Sequence, residues 1–220
     1  MHYPVAWGLS KLDKRLNLPG LIVGSFIPDI EVPILIIFFN GVLPDHFIMH
    51  SLIGALTIGT IISTLVTVML YPILTSWFFR LDKVKIKELC RLTPTLVLSC
   101  MLGNVFHLLL DIPMHPFNLV LWPFVEPYSI VGILVLVFAV DGNISLGFLI
   151  ANILINVIMG LFTLAIIIKS RRNLWEQTLI GKKKLVISFW EENFTLLTYQ
   201  PLGSKKLLYF FSQLKIVYFE

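Results

Sequence analysis

Two long stretches of this chain, Leu16 to Phe79 and Leu92 to Ile168, contain no lysine or arginine. All 17 basic residues fall in three blocks: three from Lys11 to Arg15, five from Arg80 to Arg91, and nine from Lys169 onward. The composition agrees with that segregation, with 57% hydrophobic residues, 14% charged residues and a mean hydropathy of +0.87. Such a chain takes the bilayer as its solvent, where backbone polar groups must be satisfied within the segment, so an all-α integral membrane protein is expected. The net charge of +4 is then no nucleic-acid signal, because no basic face with interleaved aromatics stands on a folded domain. It orients the chain instead. Basic blocks stay on the cytoplasmic side of the cell membrane, which puts the N-terminal tip, the Arg80 to Arg91 loop and the C-terminal tail there.

A crossing needs about 20 apolar residues. Pro19 to Phe39, Phe47 to about Leu70, Leu92 to Leu110 and Ile144 to Ile168 qualify. Parity supports a bundle of about four transmembrane helices, with up to six possible, because an even number of crossings must join the second and third basic blocks. Ser129 to Val140 is short for a crossing and reads as a re-entrant or interfacial segment. Pro72 to Arg91 reads as a cytoplasmic connector. Residues 1–168 form the membrane domain, and residues 169–220 a basic, aromatic tail apposed to anionic headgroups or solvent. Cys90 and Cys100 have neither disulfide-framework nor zinc-finger spacing. No cleavable signal is visible, so the first span is expected to stay.

The stretch GSFIPDIEVP, Gly24 to Pro33, places Asp29 and Glu31 inside the first span between two prolines. Ionised carboxylates at membrane depth cost several kcal/mol each on insertion scales, and persist where they face a cavity, a charge or a metal. Pro28 and Pro33 interrupt helical hydrogen bonding, so the first span is expected to be broken there. With the basic blocks inside, the second span begins on the outer side at His46 and His50, and the third ends there at His107 and Asp111. Each pair is spaced i, i+4, which puts both side chains on one helical face, and Asp45 lies beside the first. Blander readings exist for each piece: an extracytoplasmic loop at Pro28 to Glu31, a histidine at a helix end, a structural hydrogen bond between His107 and Asp111. Their convergence on one side points to a cation site.

The order GSxxPDxE (Gly24, Ser25, Pro28, Asp29, Glu31), then His50-Ser51, then GNVFHLLLD and NLVLWPF (Gly103, His107, Asp111, Leu121, Trp122, Pro123, Phe124) resembles a family of membrane-bound metal-dependent hydrolases. That family's founding member is a LexA-regulated inner-membrane protein. The likeness covers about Met1 to Phe124. The family shows P-D-x-D where this chain has Glu31, and H-R-x-x-T-H-S where it has Asp45 to Ser51, so the first family histidine falls on Asp45 and the arginine on His46. An early histidine is usual in the family, and His2 is the candidate. With Lys11 to Arg15 in the cytoplasm, His2 reaches an outer site only if the first residues fold back into the bundle.

What the resemblance implies is hydrolysis; the residues alone argue for a cation. The expected site has a divalent ion, zinc by preference for imidazole and carboxylate ligands, held by His50, His107 and Asp111, with Asp29 completing or bridging the shell. Glu31 orients the attacking water or acts as base, while Asp45, His46 and His2 are further ligands or second-shell groups. An ester or phosphoester, lipid-linked at headgroup level, is the expected substrate. The alternatives are a non-enzymatic protein handling ions or protons, and a structural membrane protein.

Overall fold

The computed structural model describes residues 2–39 and 46–181. Among the described residues every regular element is helical, and four helices are long and apolar enough to cross a membrane: α2 (Leu18–Phe39), α3 (Leu52–Met69), α6 (Pro94–Asp111) and α8 (Ile144–Ser170). These are the four spans the apolar runs predict. Between them lie α1 (Tyr3–Leu12), α4 (Tyr71–Phe79), α5 (Lys83–Leu89) and the short α7 (Ile133–Phe138). Local chemistry sets several starts. Thr93 caps α6 at Leu96 N ahead of Pro94, Asp82 caps α5 at Val84 N and Lys85 N, and Asn143 caps α8 at Leu146 N.

α2 and α6 run parallel and touch backbone to backbone. A Cβ on Gly103 would come within 2.6 Å of the Leu21 carbonyl, and one on Gly24 would overlap the Cys100 carbonyl. Small residues permit such close approach in membranes, where packing rather than hydrophobicity drives association. α3 runs antiparallel against both, joined through Asn104, whose Nδ2 donates to Ser63 Oγ at 3.0 Å, and through Thr67 beside Cys100.

The first span is not broken. α2 is a continuous helix of 22 residues with Pro28 and Pro33 inside it. Prolines are tolerated in a spanning helix; the carbonyl that Pro28 deprives of its helical donor is that of Gly24, at the close contact with α6, and the next carbonyl, Ser25 O, accepts from the His107 ring at 2.9 Å.

The segment expected to be re-entrant holds α7, six residues long, which packs on α8 through Val135 and Ala151. Its entry is tied back to the end of α6 by Gly132 N to His115 O and Leu134 N to Pro113 O, both 2.9 Å. α1 folds back against α2, burying Ala6 among Leu18, Leu21 and Ile22. The turn after α8 holds it there: Tyr3 Oη donates to Thr178 O at 3.0 Å, Tyr71 Oη to Leu179 O at 2.8 Å, and Lys85 pairs with Glu176. The bundle therefore continues past residue 168, where the tail was expected to start; residues 182–220 lie outside the described residues.

Gly103→Val should lower the thermal midpoint of the detergent-purified protein by the equivalent of about 1–3 kcal/mol or more, the cost of overpacking. Gly8→Ala, whose Cβ meets nothing within 4 Å, should change stability by less than about 1 kcal/mol. Equal midpoints in the two variants would contradict the close approach of α2 and α6.

Candidate metal centre

Five histidines occur in the chain, and all five meet at one end of α6. His107 and Asp111 sit on consecutive turns of that helix, with His107 Nε2 3.1 Å from Asp111 Oδ2. α2 brings Asp29 Oδ1 to 3.5 Å from His107 Nε2. The 3-10 turn Ile48–His50 at the head of α3 delivers His50, whose Nε2 is 3.9 Å from Asp111 Oδ2. The folded-back α1 delivers His2, whose Nε2 is 3.4 Å from Asp111 Oδ1 and whose ring centre is 4.0 Å from that of His107. His46 completes the group, 4.2 Å from the His50 ring and 5.0 Å from that of His115.

The outer hydrogen bonds decide which nitrogens are free. A carbonyl only accepts, so His107 Nδ1 carries the proton given to the Ser25 carbonyl, and Nε2 is the nitrogen turned into the cluster, 3.1 Å from Asp111 Oδ2. Glu31 acts likewise on His50. Its carboxylate accepts from the backbone N–H groups of Phe47 and Met49, each at 3.1 Å, and lies 3.1 Å from His50 Nδ1. This is the carboxylate–histidine arrangement that orients metal-binding imidazoles. Glu31, expected to orient water or act as base, is thus engaged behind His50. Burial holds the His2 and His46 rings down to about 3, with the neighbouring histidines adding to the effect, so both are neutral at pH 7.

Four buried ring nitrogens in this cluster have no hydrogen-bond partner: His2 Nδ1, His46 Nδ1, His50 Nε2 and His107 Nε2. His107 is fully buried, and His2 and His50 are 4% and 6% exposed. Buried polar atoms are rarely left so. Ligand atoms converge in two triads, His2–Asp29–His107 and His46–His50–Asp111, each within 4.8 Å. A pair of bonds of about 2.1 Å at a tetrahedral ion sets ligand atoms about 3.4 Å apart, close to the 3.1–3.9 Å ion-pair separations here.

The structure thus places Asp29, His50, His107, Asp111, His46 and His2 together. Asp45 lies outside the described residues. His115 is an addition: Pro113 stands between it and Asp111, and proline ordinarily interrupts a helical face. The backbone continues the turn regardless, with Met114 N and His115 N both donating to Asp111 O. Proline costs nothing to α6 beyond its last residue. The spacing Asp111-x-x-x-His115 was the available signal. His115 Nδ1 lies 3.0 Å from the Asp111 carbonyl, and the ring lines a small cleft of about 20 Å³ with His46, His50, Asp111, Phe117 and Asn118.

Comparison with known protein families, characterised proteins and solved structures finds no match for this chain.

Glu31→Gln should weaken metal binding by about 10–100-fold, the usual effect of losing an outer carboxylate, while the ion count at saturation stays unchanged. Competition with a fluorescent chelator reads both quantities. Unaltered affinity would mean that Glu31 supports only the turn at Phe47 to Met49.

Proposed function

We propose that the chain is a membrane-embedded, metal-dependent hydrolase of the kind its motifs resemble. It acts on an ester or phosphoester of a lipid-linked substrate at the extracytoplasmic face of the cell membrane, with its tail in the cytoplasm. The observation that carries this reading is Asp111 ringed by His2, His50 and His107, within a cluster where four buried ring nitrogens lack a hydrogen-bond partner. Neutral imidazoles with carboxylates suit a divalent ion, zinc by preference. Such an ion, when bound, acidifies water toward neutral pH and polarises the ester.

The chain's own groups supply the rest. Ser25 O and Glu31 hold His107 and His50 in the ligating tautomer. Asp29, with a side chain 46% exposed, offers a carboxylate reachable from outside. His115, its Nδ1 proton on the Asp111 carbonyl, keeps Nε2 as a base in the wall of the cleft.

The distribution of polar groups supports a site rather than a transport path. Below Asn104 the buried hydroxyls of Ser63, Thr67 and Ser99 each donate to a carbonyl of their own helix. Hydroxyls whose protons are committed to backbone carbonyls do not form a relay.

Metal analysis by inductively coupled plasma mass spectrometry on detergent-purified full-length chain tests the reading. Wild type should carry one or two ions per chain, and monodisperse His107→Ala and Asp29→Ala variants should lose them. Phosphate or acid release from ester substrates in mixed micelles should then vanish with chelator, return with zinc, and fall at least about 100-fold in His107→Ala. Protein without metal after zinc or manganese reconstitution would overturn the proposal.

A further inference from the structure

We infer that the centre holds two divalent ions bridged by Asp111 and that its substrate is a phosphoester rather than a carboxylic ester, an inference that rests on the metal-dependent reading above. The two triads share no residue, yet Asp111 stands between them: Oδ1 is 3.4 Å from His2 Nε2 in the first, and Oδ2 is 3.9 Å from His50 Nε2 within its own. Asp111 Oδ2 also lies 3.1 Å from His107 Nε2. Its two oxygens thus face ligands of both groups, the disposition of a bridging carboxylate. Each triad has its own partnerless nitrogens, His2 Nδ1 and His107 Nε2 in one, His46 Nδ1 and His50 Nε2 in the other. The two triads together offer six ligand residues, more than one tetrahedral ion takes.

Charge carries the argument to substrate. Asp29, Glu31 and Asp111 bring three carboxylates to the cluster, and apart from His2 every residue that builds it comes from Leu16 to Phe79 or Leu92 to Ile168, which contain no lysine or arginine. Set against the carboxylates alone, one divalent ion leaves a net −1, which repels an anion. Two ions bring them to net +1, which attracts one. Two ions about 3.5–4 Å apart form the clamp that stabilises attacking and leaving oxygens in phosphoryl displacement. In that reaction a water gives its proton to His115 Nε2 and its oxygen forms the new P–O bond. The ester P–O bond breaks, and the leaving oxygen recovers the proton from His115, yielding an alcohol and a phosphate.

The full-length chain in detergent, reconstituted with manganese, provides the test. Two ions per chain are expected, with the electron paramagnetic resonance signal of a spin-coupled pair. His46→Ala should retain about one ion, lose the coupling, and bind inorganic phosphate at least tenfold more weakly by calorimetry. One uncoupled ion in wild type at excess manganese would overturn the two-ion centre while leaving the metal-dependent reading standing; no ion would overturn both. Equal phosphate affinity in wild type and His46→Ala would overturn the assignment of an anionic substrate. The wild-type count and spectrum decide the nuclearity even if the variant fails to fold. Hydrolysis of p-nitrophenyl phosphate against a long-chain phosphatidic acid in mixed micelles separates a soluble phosphoester from a lipid headgroup.

Discussion

Where α2 and α6 meet at Gly24 and Gly103, no side chain separates the two backbones, and everything at the centre is placed from that contact. Ser25 follows Gly24 directly, so its carbonyl faces α6 within reach of His107, one turn beyond Gly103. Asp29 lies a further turn along α2 and meets the same ring. A larger residue at either glycine would separate the helices and remove both contacts together. The cluster is therefore built into the packing of the bundle, which fixes the relative positions of Ser25, Asp29 and His107.

The prolines belong to the same construction. In a soluble helix, Pro28 would break the hydrogen-bond ladder. In α2 the helix runs on through Pro28, and in the preceding turn the Ser25 carbonyl accepts from a histidine of another helix, a cross-helix bond that orients the ring. Glu31 performs the matching task for His50 from the other side of α2, taking up the N–H groups of Phe47 and Met49 at the head of α3. One helix thus sets the protonation pattern of two rings carried by two others.

Much of this was legible in the order of residues. The spans followed from the gaps between basic blocks, and the meeting of His50, His107 and Asp111 from antiparallel geometry and i, i+4 spacing. What escaped reading was tertiary. Nothing local in MHYPVAWGLSKL states that α1 folds back, because Tyr3 is anchored by a carbonyl 175 residues away. Glu31 reads as a free acid until the N–H groups that occupy it are seen. α2 runs through both prolines where it packs closely on α6, and His115 follows a proline that falls harmlessly past a helix end. Local rules describe what a residue prefers alone; in each of these cases a partner from another element decided the outcome.

Three carboxylates in a low-dielectric bundle repel one another, and each is compensated differently. Glu31 is wrapped by backbone N–H groups, Asp29 keeps a side chain 46% exposed, and Asp111 is surrounded by His2, His50 and His107. The histidines contribute no positive charge of their own at pH 7 where burial holds them neutral, as at His2 and His46. Their partnerless nitrogens are an added cost of about 1–3 kcal/mol each. An apolar core of the same shape would avoid both penalties, so folding stability does not account for gathering these groups. On the metal-dependent reading proposed above, a divalent cation would account for it, because it would draw on the carboxylate charge and the imidazole nitrogens at once, turning two destabilising features of the bundle into the two components of its affinity.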